Sequence, residues 1–127
     1  CMGALGDRTA GLMAGHRWWG DQVRAAADAV GESLWPLPLP GYFRSKLDSD
    51  IADLKNITNG RYGGALSAGV FLQQFVGDGI PWVHLDIAGP ADASETDGEI
   101  VKGGTGFGIR TLVELLSSWT KPKRTDA

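Results

Sequence analysis

His84 and Asp86 form a pair whose residue types and spacing suit chemistry. They are two residues apart in a segment with strand-like alternation, so both side chains fall on one face. Such a pair offers two metal ligands, or a general base with an orienting carboxylate. Zinc needs three or four ligands, and the further donors, His16 and the aspartates of residues 48–53, are distant in sequence. We therefore interpret His84 and Asp86 as a structural pair and predict no metal site on this chain.

Four other features invite a chemical role, and each has a simpler structural explanation. The aspartates of residues 48–53 lack the glycine and closing glutamate of a calcium loop. Ser67 is one residue away from a Gly-x-Ser-x-Gly motif and falls inside a predicted helix. The turn at residues 104–108 opens a helix and resembles an anion site, but it matches neither nucleotide-binding fingerprint. Cys1 would be a nucleophile only if the terminal amine served as its base. We predict no catalytic residue among them.

Composition and charge indicate one globular domain and exclude several classes of partner. The 127 residues are 43% hydrophobic and 21% charged, and the net charge is -3. This acidic balance gives no basic field for a phosphate backbone, so we predict no nucleic-acid partner. No apolar run approaches the roughly 18 residues that span a bilayer, so we predict no membrane segment. A single cysteine, Cys1, allows no disulfide framework and indicates a reducing, cytoplasmic setting.

The hydrophobic pattern alternates between helical and extended periods, which predicts an α/β architecture. Helices are predicted over 18–30, 42–49 and 65–76, and a last helix, capped by Thr105, carries an apolar stripe that includes Leu112 and Leu116. Extended segments are predicted over 2–15 (broken by Gly6 and Gly11), 35–40, 51–56 and 82–88. Residues 90–102 are predicted to form a long loop, and residues 121–127 a disordered tail.

Four motifs occur in an order that resembles a known family. Trp82–Ala91 (WVHLDIAGPA) is followed by Gly103–Leu116 (GGTGFGIRTLVELL), and Asp53–Asn56 (DLKN) and Gly63–Leu72 (GGALSAGVFL) precede them. Together they resemble the C-terminal signature of the leucyl aminopeptidase, or cytosol aminopeptidase, family of two-metal peptidases. The resemblance implies that residues 1–120 are the C-terminal portion of an α/β/α sandwich with a mixed central sheet.

The resemblance also implies an activity whose catalytic groups lie elsewhere. Members of the family use two divalent ions, zinc or manganese, to release N-terminal amino acids from peptides, and they assemble as hexamers. Their metal ligands, catalytic lysine and Asn-Thr-Asp-Ala-Glu-Gly-Arg motif would all precede Cys1. Cys1 is followed by small apolar residues typical of a domain interior. We therefore expect a piece of a larger enzyme that is inactive alone, with peptides as substrates and copies of itself as partners.

By resemblance, four residues are expected to line the substrate pocket. Met2, Ala88 and Ala91 match positions beside the N-terminal side chain of the substrate, and Ile57 matches one on the leaving-group side. A small residue at position 88 leaves room for a leucine-sized group. Position 91 departs from the pattern, since a larger side chain such as methionine can occur there. Without the resemblance, small apolar packing beside a Gly-Pro turn explains Ala88 and Ala91 equally well.

An alternative from another class is a non-catalytic α/β module. Such a module would bind a small anion or a peptide at the turns near Gly63 and Gly104, or pack against a protein partner. Coding sequence that continued upstream into the Asp-Ala-Glu-Gly-Arg motif would favour the aminopeptidase instead.

Overall fold

The computed structural model describes residues 1–121, and regular elements cover much of that range. The α-helices are α1 (Met2–Leu5), α2 (Arg17–Val30), α3 (Gly64–Gln73) and α4 (Ile109–Ser117), with a 3-10 helix over Gly41–Leu47. The strands are β1 (Thr9–Ala14), β2 (Ser33–Pro36), β3 (Val83–Asp86), β4 (Asp92–Ala93) and β5 (Gly103–Gly104). The disordered tail expected over 121–127 falls almost wholly on residues 122–127, which lie outside the described residues.

The main sheet has the order β2-β1-β3 and is mixed. β1 runs parallel to β2, with Ala10 opposite Leu34. It runs antiparallel to β3, with Leu12 opposite Leu85. The predicted loop over 90–102 contains β4, which pairs with β5 in a small separate hairpin. The expectation of a mixed central sheet is therefore confirmed.

Helices cover both faces of β1, because its successive side chains point in opposite directions. Ala10 and Leu12 join the larger core cluster with residues of α2 and α4. Met13 points the other way, towards α3, where a Cβ at Gly69 would collide with its sulfur. Gly69 is therefore required by close packing within a helix that it would otherwise weaken. The result is the three-layer α/β/α arrangement that the family resemblance implies.

Helix α2 forms where its apolar stripe predicts it. Trp19, Val23 and Ala26 are buried on the side that faces the sheet. Gly31 ends the helix with a φ of 76°, a left-handed conformation that glycine adopts without steric cost. The predicted start at residue 18 and the observed start at Arg17 differ by one residue.

One predicted extended segment is right only in its second half, which forms β1, and another is wrong. Residues 2–15 were expected to be extended and broken by Gly6 and Gly11, but Met2–Leu5 is a helix and β1 runs through Gly11. A lone glycine does not end a strand whose flanking residues pair on both sides. Residues 51–56 form bends and irregular backbone rather than a strand, although Lys55 N–H donates to the carbonyl of Leu47 at 2.8 Å.

The predicted Thr105 cap of the last helix is also wrong, because a buried glutamate caps that helix from a distant part of the chain. α4 begins at Ile109, and Glu32 is only 5% exposed beside its first turn. The Glu32 carboxylate accepts hydrogen bonds from Gly108 N–H at 2.9 Å, from Thr111 N–H at 2.8 Å and from the Thr111 hydroxyl at 2.7 Å. Carboxylates at this position satisfy free N–H groups and complement the helix dipole.

The outward face of α4 leaves large apolar side chains exposed. Thr111 and Leu115 are buried, whereas Leu112, Val113 and Leu116 are 49%, 60% and 68% exposed. No helix within residues 1–121 is long and apolar enough to cross a membrane.

We expect the 127-residue chain to self-associate, because a contiguous apolar stripe in water favours contact with another surface. Light scattering should show species larger than a monomer, and the dye ANS should fluoresce in its presence. Leu112→Glu with Leu116→Glu should reduce both signals. A monodisperse, dye-silent wild-type monomer would contradict the expectation.

Candidate functional site

A tight turn follows β3 and displays the small residues expected in the pocket wall. The Asp86 carboxylate accepts a hydrogen bond from Ala88 N–H at 3.1 Å. Ala91 N–H donates to the carbonyl of Ile87 at 3.0 Å. Ala88 is exposed and Ala91 is half-buried. The turn therefore has a fixed shape, with Ala88 open to its surroundings.

The helix that carries Met2 lies directly beside this turn. The Cys1 sulfur is 3.9 Å from the carbonyl oxygen of Asp86. A Cβ at Gly89 would lie 2.5 Å from the carbonyl oxygen of Gly6, the residue that ends α1. Only glycine permits this approach of two backbones. The structure thus brings the segments of Met2 and Ala88 together, and Met2 is 49% exposed there.

Thr105, expected to be a helix cap, holds the other side of the turn. Its N–H donates to the carbonyl of Ala91 at 3.0 Å, and its hydroxyl donates to the carbonyl of Pro90. The same hydroxyl accepts from Phe107 N–H at 3.2 Å. Sequence reasoning missed this role, because a threonine before a helix gives the same signal whether it caps that helix or bonds a distant turn.

Ile57 lies in a different segment of the chain from these residues. It lies in an irregular stretch after the 3-10 helix, and its side chain is 77% exposed. The nearby Leu54 packs on a second core cluster built around Phe43. No hydrogen bond within residues 1–121 joins Ile57 to the turn after β3, so its role on the leaving-group side stays a prediction.

His84 and Asp86 share a strand face, as expected, without forming a ligand set. His84 lies opposite Met13 in the sheet, and the Asp86 carboxylate is engaged by Ala88 N–H. Across residues 1–121, no three His, Cys, Asp or Glu side chains converge as a metal ion requires. The residues present do not fit a metal centre, and we assign no metal ligand to them.

The isolated chain should therefore bind Zn²⁺ or Mn²⁺ no better than a generic protein surface, since isolated histidines and carboxylates hold these ions weakly. Calorimetric titration of either ion should give no stoichiometric transition. His84→Ala should leave that titration unchanged. Tight binding at one ion per chain would refute the prediction.

The turn at residues 104–108 does not offer a free anion site. Gly108 N–H and Thr111 N–H, which a phosphate or carboxylate would need, are already bonded to Glu32. A second anion would meet the charge of the Glu32 carboxylate at that helix end. The start of α4 therefore gives no support to the anion-binding alternative at Gly104.

Comparison with known proteins gives concordant matches. The family model described as the cytosol aminopeptidase family, catalytic domain, matches residues 1–113. A probable cytosol aminopeptidase of Aquifex aeolicus is 49% identical over 117 residues, which cover 91% of this chain and 24% of that protein. The corresponding Nocardia farcinica protein is 50% identical over 116 residues, covering 91% of this chain and 23% of its own length. The chain thus spans about a quarter of the length of these relatives.

Solved structures agree with the sequence matches. The bottromycin maturation enzyme BotP, solved in complex with Mn, superposes with a TM-score of 0.85 at 44% identity, covering 91% of this chain and 25% of BotP. A mutant tomato leucine aminopeptidase gives a TM-score of 0.80 at 39% identity, covering 89% of this chain and 21% of that enzyme.

Proposed function

Because the chain belongs to the cytosol aminopeptidase family, we propose that it supplies the wall of the substrate pocket in a metal-dependent aminopeptidase. The enzyme would release N-terminal amino acids from peptides. The relatives named as cytosol aminopeptidases support this activity, and they do not favour a non-catalytic module.

One observation carries the assignment of the pocket wall: the contact between the end of α1 and the turn after β3. Gly89 packs on the Gly6 carbonyl, which holds Met2 and Ala88 in adjoining segments. Ala91 is anchored to the same turn through Thr105. We propose that Met2, Ala88 and Ala91 face the N-terminal side chain of the peptide. Small and unbranched side chains there leave space for a leucine-sized group.

Ile57 is proposed for the leaving-group side of the same pocket. Its exposed apolar side chain is free to contact a peptide residue. This role rests on the membership of the chain in the family.

The metal ions of this proposed enzyme would be held by residues outside this chain. We propose two divalent ions, zinc or manganese, in keeping with the manganese in the BotP structure. Such ions would supply an activated water. The described residues would shape and orient the substrate side chain beside them.

Assembly and location follow as further parts of the proposal. We propose a homo-oligomer, a hexamer as in the family, and the exposed apolar face of α4 supports contacts beyond this chain. We also propose a cytoplasmic location, supported by relatives named cytosol aminopeptidases.

The test compares the 127-residue chain with an intact aminopeptidase that contains it. Leucyl-p-nitroanilide with added Mn²⁺ should be hydrolysed by the intact enzyme and not by the 127-residue chain. Metal-dependent hydrolysis by the chain alone would overturn the proposal that the catalytic groups lie outside it. An intact protein that loads metal but cleaves no aminoacyl anilide would overturn the activity.

A further inference from the structure

Thr105 joins two parts of the fold: the turn after β3 and the segment that leads into α4. Its N–H donates to the carbonyl of Ala91 at 3.0 Å. This bond continues the pairing of β4 with β5, in which Asp92 lies opposite Gly104. The Thr105 hydroxyl donates to the carbonyl of Pro90, the residue before Ala91. Thr105 therefore bonds two successive carbonyls of the turn, one through its backbone and one through its side chain.

The bond from the Thr105 hydroxyl restricts the position of the turn. Pro90 is buried, and within residues 1–121 no second donor reaches its carbonyl. In a buried residue, a carbonyl that loses its donor is unfavourable, so the hydroxyl favours one position of Pro90. The proline ring also fixes its own φ angle, which leaves the turn few other ways to adjust.

Thr105 is itself held from the side of α4. Its hydroxyl accepts a hydrogen bond from Phe107 N–H at 3.2 Å, and the Phe107 side chain packs against the larger core cluster. One residue later, the buried Glu32 carboxylate accepts from Gly108 N–H at 2.9 Å. The position of the Thr105 hydroxyl is therefore set by the core, and the hydroxyl in turn sets the position of Pro90.

The turn that Thr105 bonds carries two of the proposed pocket residues. Ala91 directly follows Pro90, and its N–H donates to the carbonyl of Ile87 at 3.0 Å. Ala88 lies inside the loop that this bond closes. A shift of Pro90 therefore changes the spacing of Ala88 and Ala91, and a displacement of about 1 Å in a formed site is enough to alter rates.

We propose that Thr105 is a positioning residue whose hydroxyl sets the spacing of Ala88 and Ala91, and thereby the preference for leucine-sized over alanine-sized N-terminal residues. The inference rests on the proposed function, because it needs a substrate pocket at this turn. Thr105 acts through the turn and not on the reacting atoms. Loss of its hydroxyl should therefore raise KM for a leucyl substrate and leave kcat nearly unchanged.

The test is Thr105→Val in an intact aminopeptidase that contains this chain, since valine keeps the branched shape and removes the hydroxyl. KM for leucyl-p-nitroanilide should rise about fivefold, the effect of one lost hydrogen bond, while kcat should fall by less than about twofold. KM for the alanyl anilide, whose methyl group reaches less of the wall, should rise less. An unchanged leucyl-to-alanyl ratio of kcat/KM would overturn the proposal.

Graded replacements separate the hydroxyl from the rest of the side chain. Thr105→Ser keeps the hydroxyl and should keep the wild-type KM. Thr105→Cys has a thiol, which is a weak donor, and should give a KM between those of the serine and valine variants. If Thr105→Ser raised KM as much as Thr105→Val does, the effect would belong to the methyl group, and the proposal would be wrong.

Thr96→Val is the matched control, because it removes a hydrogen-bonded hydroxyl from the same hairpin. The exposed Thr96 hydroxyl accepts from Lys102 N–H at 3.2 Å. This variant should retain the wild-type KM and melting temperature. An equal rise in KM for Thr96→Val and Thr105→Val would indicate a general loosening of the hairpin and would contradict a specific role for Thr105.

Hydrogen exchange distinguishes failure of this inference from failure of the proposed pocket. Mass spectrometry of the intact enzyme follows a peptide that contains the Ala88 and Ala91 N–H groups, both bonded within the turn. Thr105→Val should speed their exchange about fivefold, whereas Thr105→Ser and Thr96→Val should not. Unchanged exchange would overturn the positioning role and leave the proposed pocket standing. Faster exchange with an unchanged leucyl-to-alanyl ratio would overturn the pocket wall, and this inference with it.

Discussion

Replacing Glu32 with alanine should lower the free energy of unfolding by about 3 kcal/mol. This is the usual cost when a buried charged group is removed and its hydrogen-bond partners remain unpaired. Three donors at the start of α4 lose their acceptor at once: Gly108 N–H, Thr111 N–H and the Thr111 hydroxyl. Thr111 is fully buried, so water cannot readily replace the carboxylate. The midpoint of urea unfolding, followed by circular dichroism, should fall by roughly 2 M.

The control is Glu95→Ala, which removes an equal charge from an exposed loop position. That change should alter stability by less than about 0.5 kcal/mol. Equal unfolding midpoints for wild type and Glu32→Ala would show that the bonds to α4 contribute no net stability.

The same carboxylate should make stability depend on pH. Burial alone raises the pKa of Glu32, but hydrogen bonds from Gly108 and Thr111 and the charge of Arg110 outweigh it, so the pKa is lowered. When the pKa of a group is lower in the folded state, its ionised form stabilises the fold at pH values above the pKa of the unfolded state. That unfolded pKa is about 4.3 for glutamate. That contribution is lost as the pH falls through the folded-state pKa.

Glu32→Gln isolates this effect, because glutamine cannot ionise. The difference in unfolding free energy between wild type and Glu32→Gln should be largest near neutral pH and shrink as the pH falls below the ordinary range of glutamate. Urea titrations at a series of pH values measure it. A difference that stayed constant or grew on acidification would show that the carboxylate is not stabilised in the folded state.

Ala88→Phe, made in an intact aminopeptidase that contains this chain, should reduce activity on leucyl substrates by about tenfold to a hundredfold. The turn around Ala88 is held by Asp86 and Thr105, so the backbone cannot readily shift to accommodate a ring, and the ring would extend into the proposed pocket. Overpacking a formed site costs about 1 to 3 kcal/mol, which corresponds to that range of rates. Alanyl substrates, which fill less of the pocket, should lose less.

The measurement is kcat/KM on leucyl and alanyl anilides, with metal content and melting temperature recorded for each variant. Ala93→Phe, a substitution in the neighbouring hairpin, is the matched control and should affect both substrates equally. Equal losses on the two substrates for Ala88→Phe, with stability retained, would remove Ala88 from the side-chain pocket.

The sequence by itself determined the class of fold and the main helices. The stripe of Trp19, Val23 and Ala26 and the glycine at 31 specify α2 locally, because helical periodicity and a left-handed end depend on neighbouring residues. The motifs around Asp86 and Gly104 indicated the family, and the composition was that of a single globular domain. These features depend on the order of neighbouring residues, so they can be recognised from the sequence alone.

Only the tertiary structure decided which distant groups meet. The apolar stripe of α4 predicted a helix but not which side would be covered, and Leu112 and Leu116 face outward. Thr105 has the sequence signal of a helix cap, but its hydroxyl donates to the carbonyl of Pro90 instead. The cap of α4 is Glu32, which lies 76 residues before Gly108 in the sequence. Hydrogen-bond partners so far apart in sequence are chosen by how the layers pack, and no local pattern encodes that choice. The same packing sets Gly89 against Gly6, and so brings the segments of Met2 and Ala88 together.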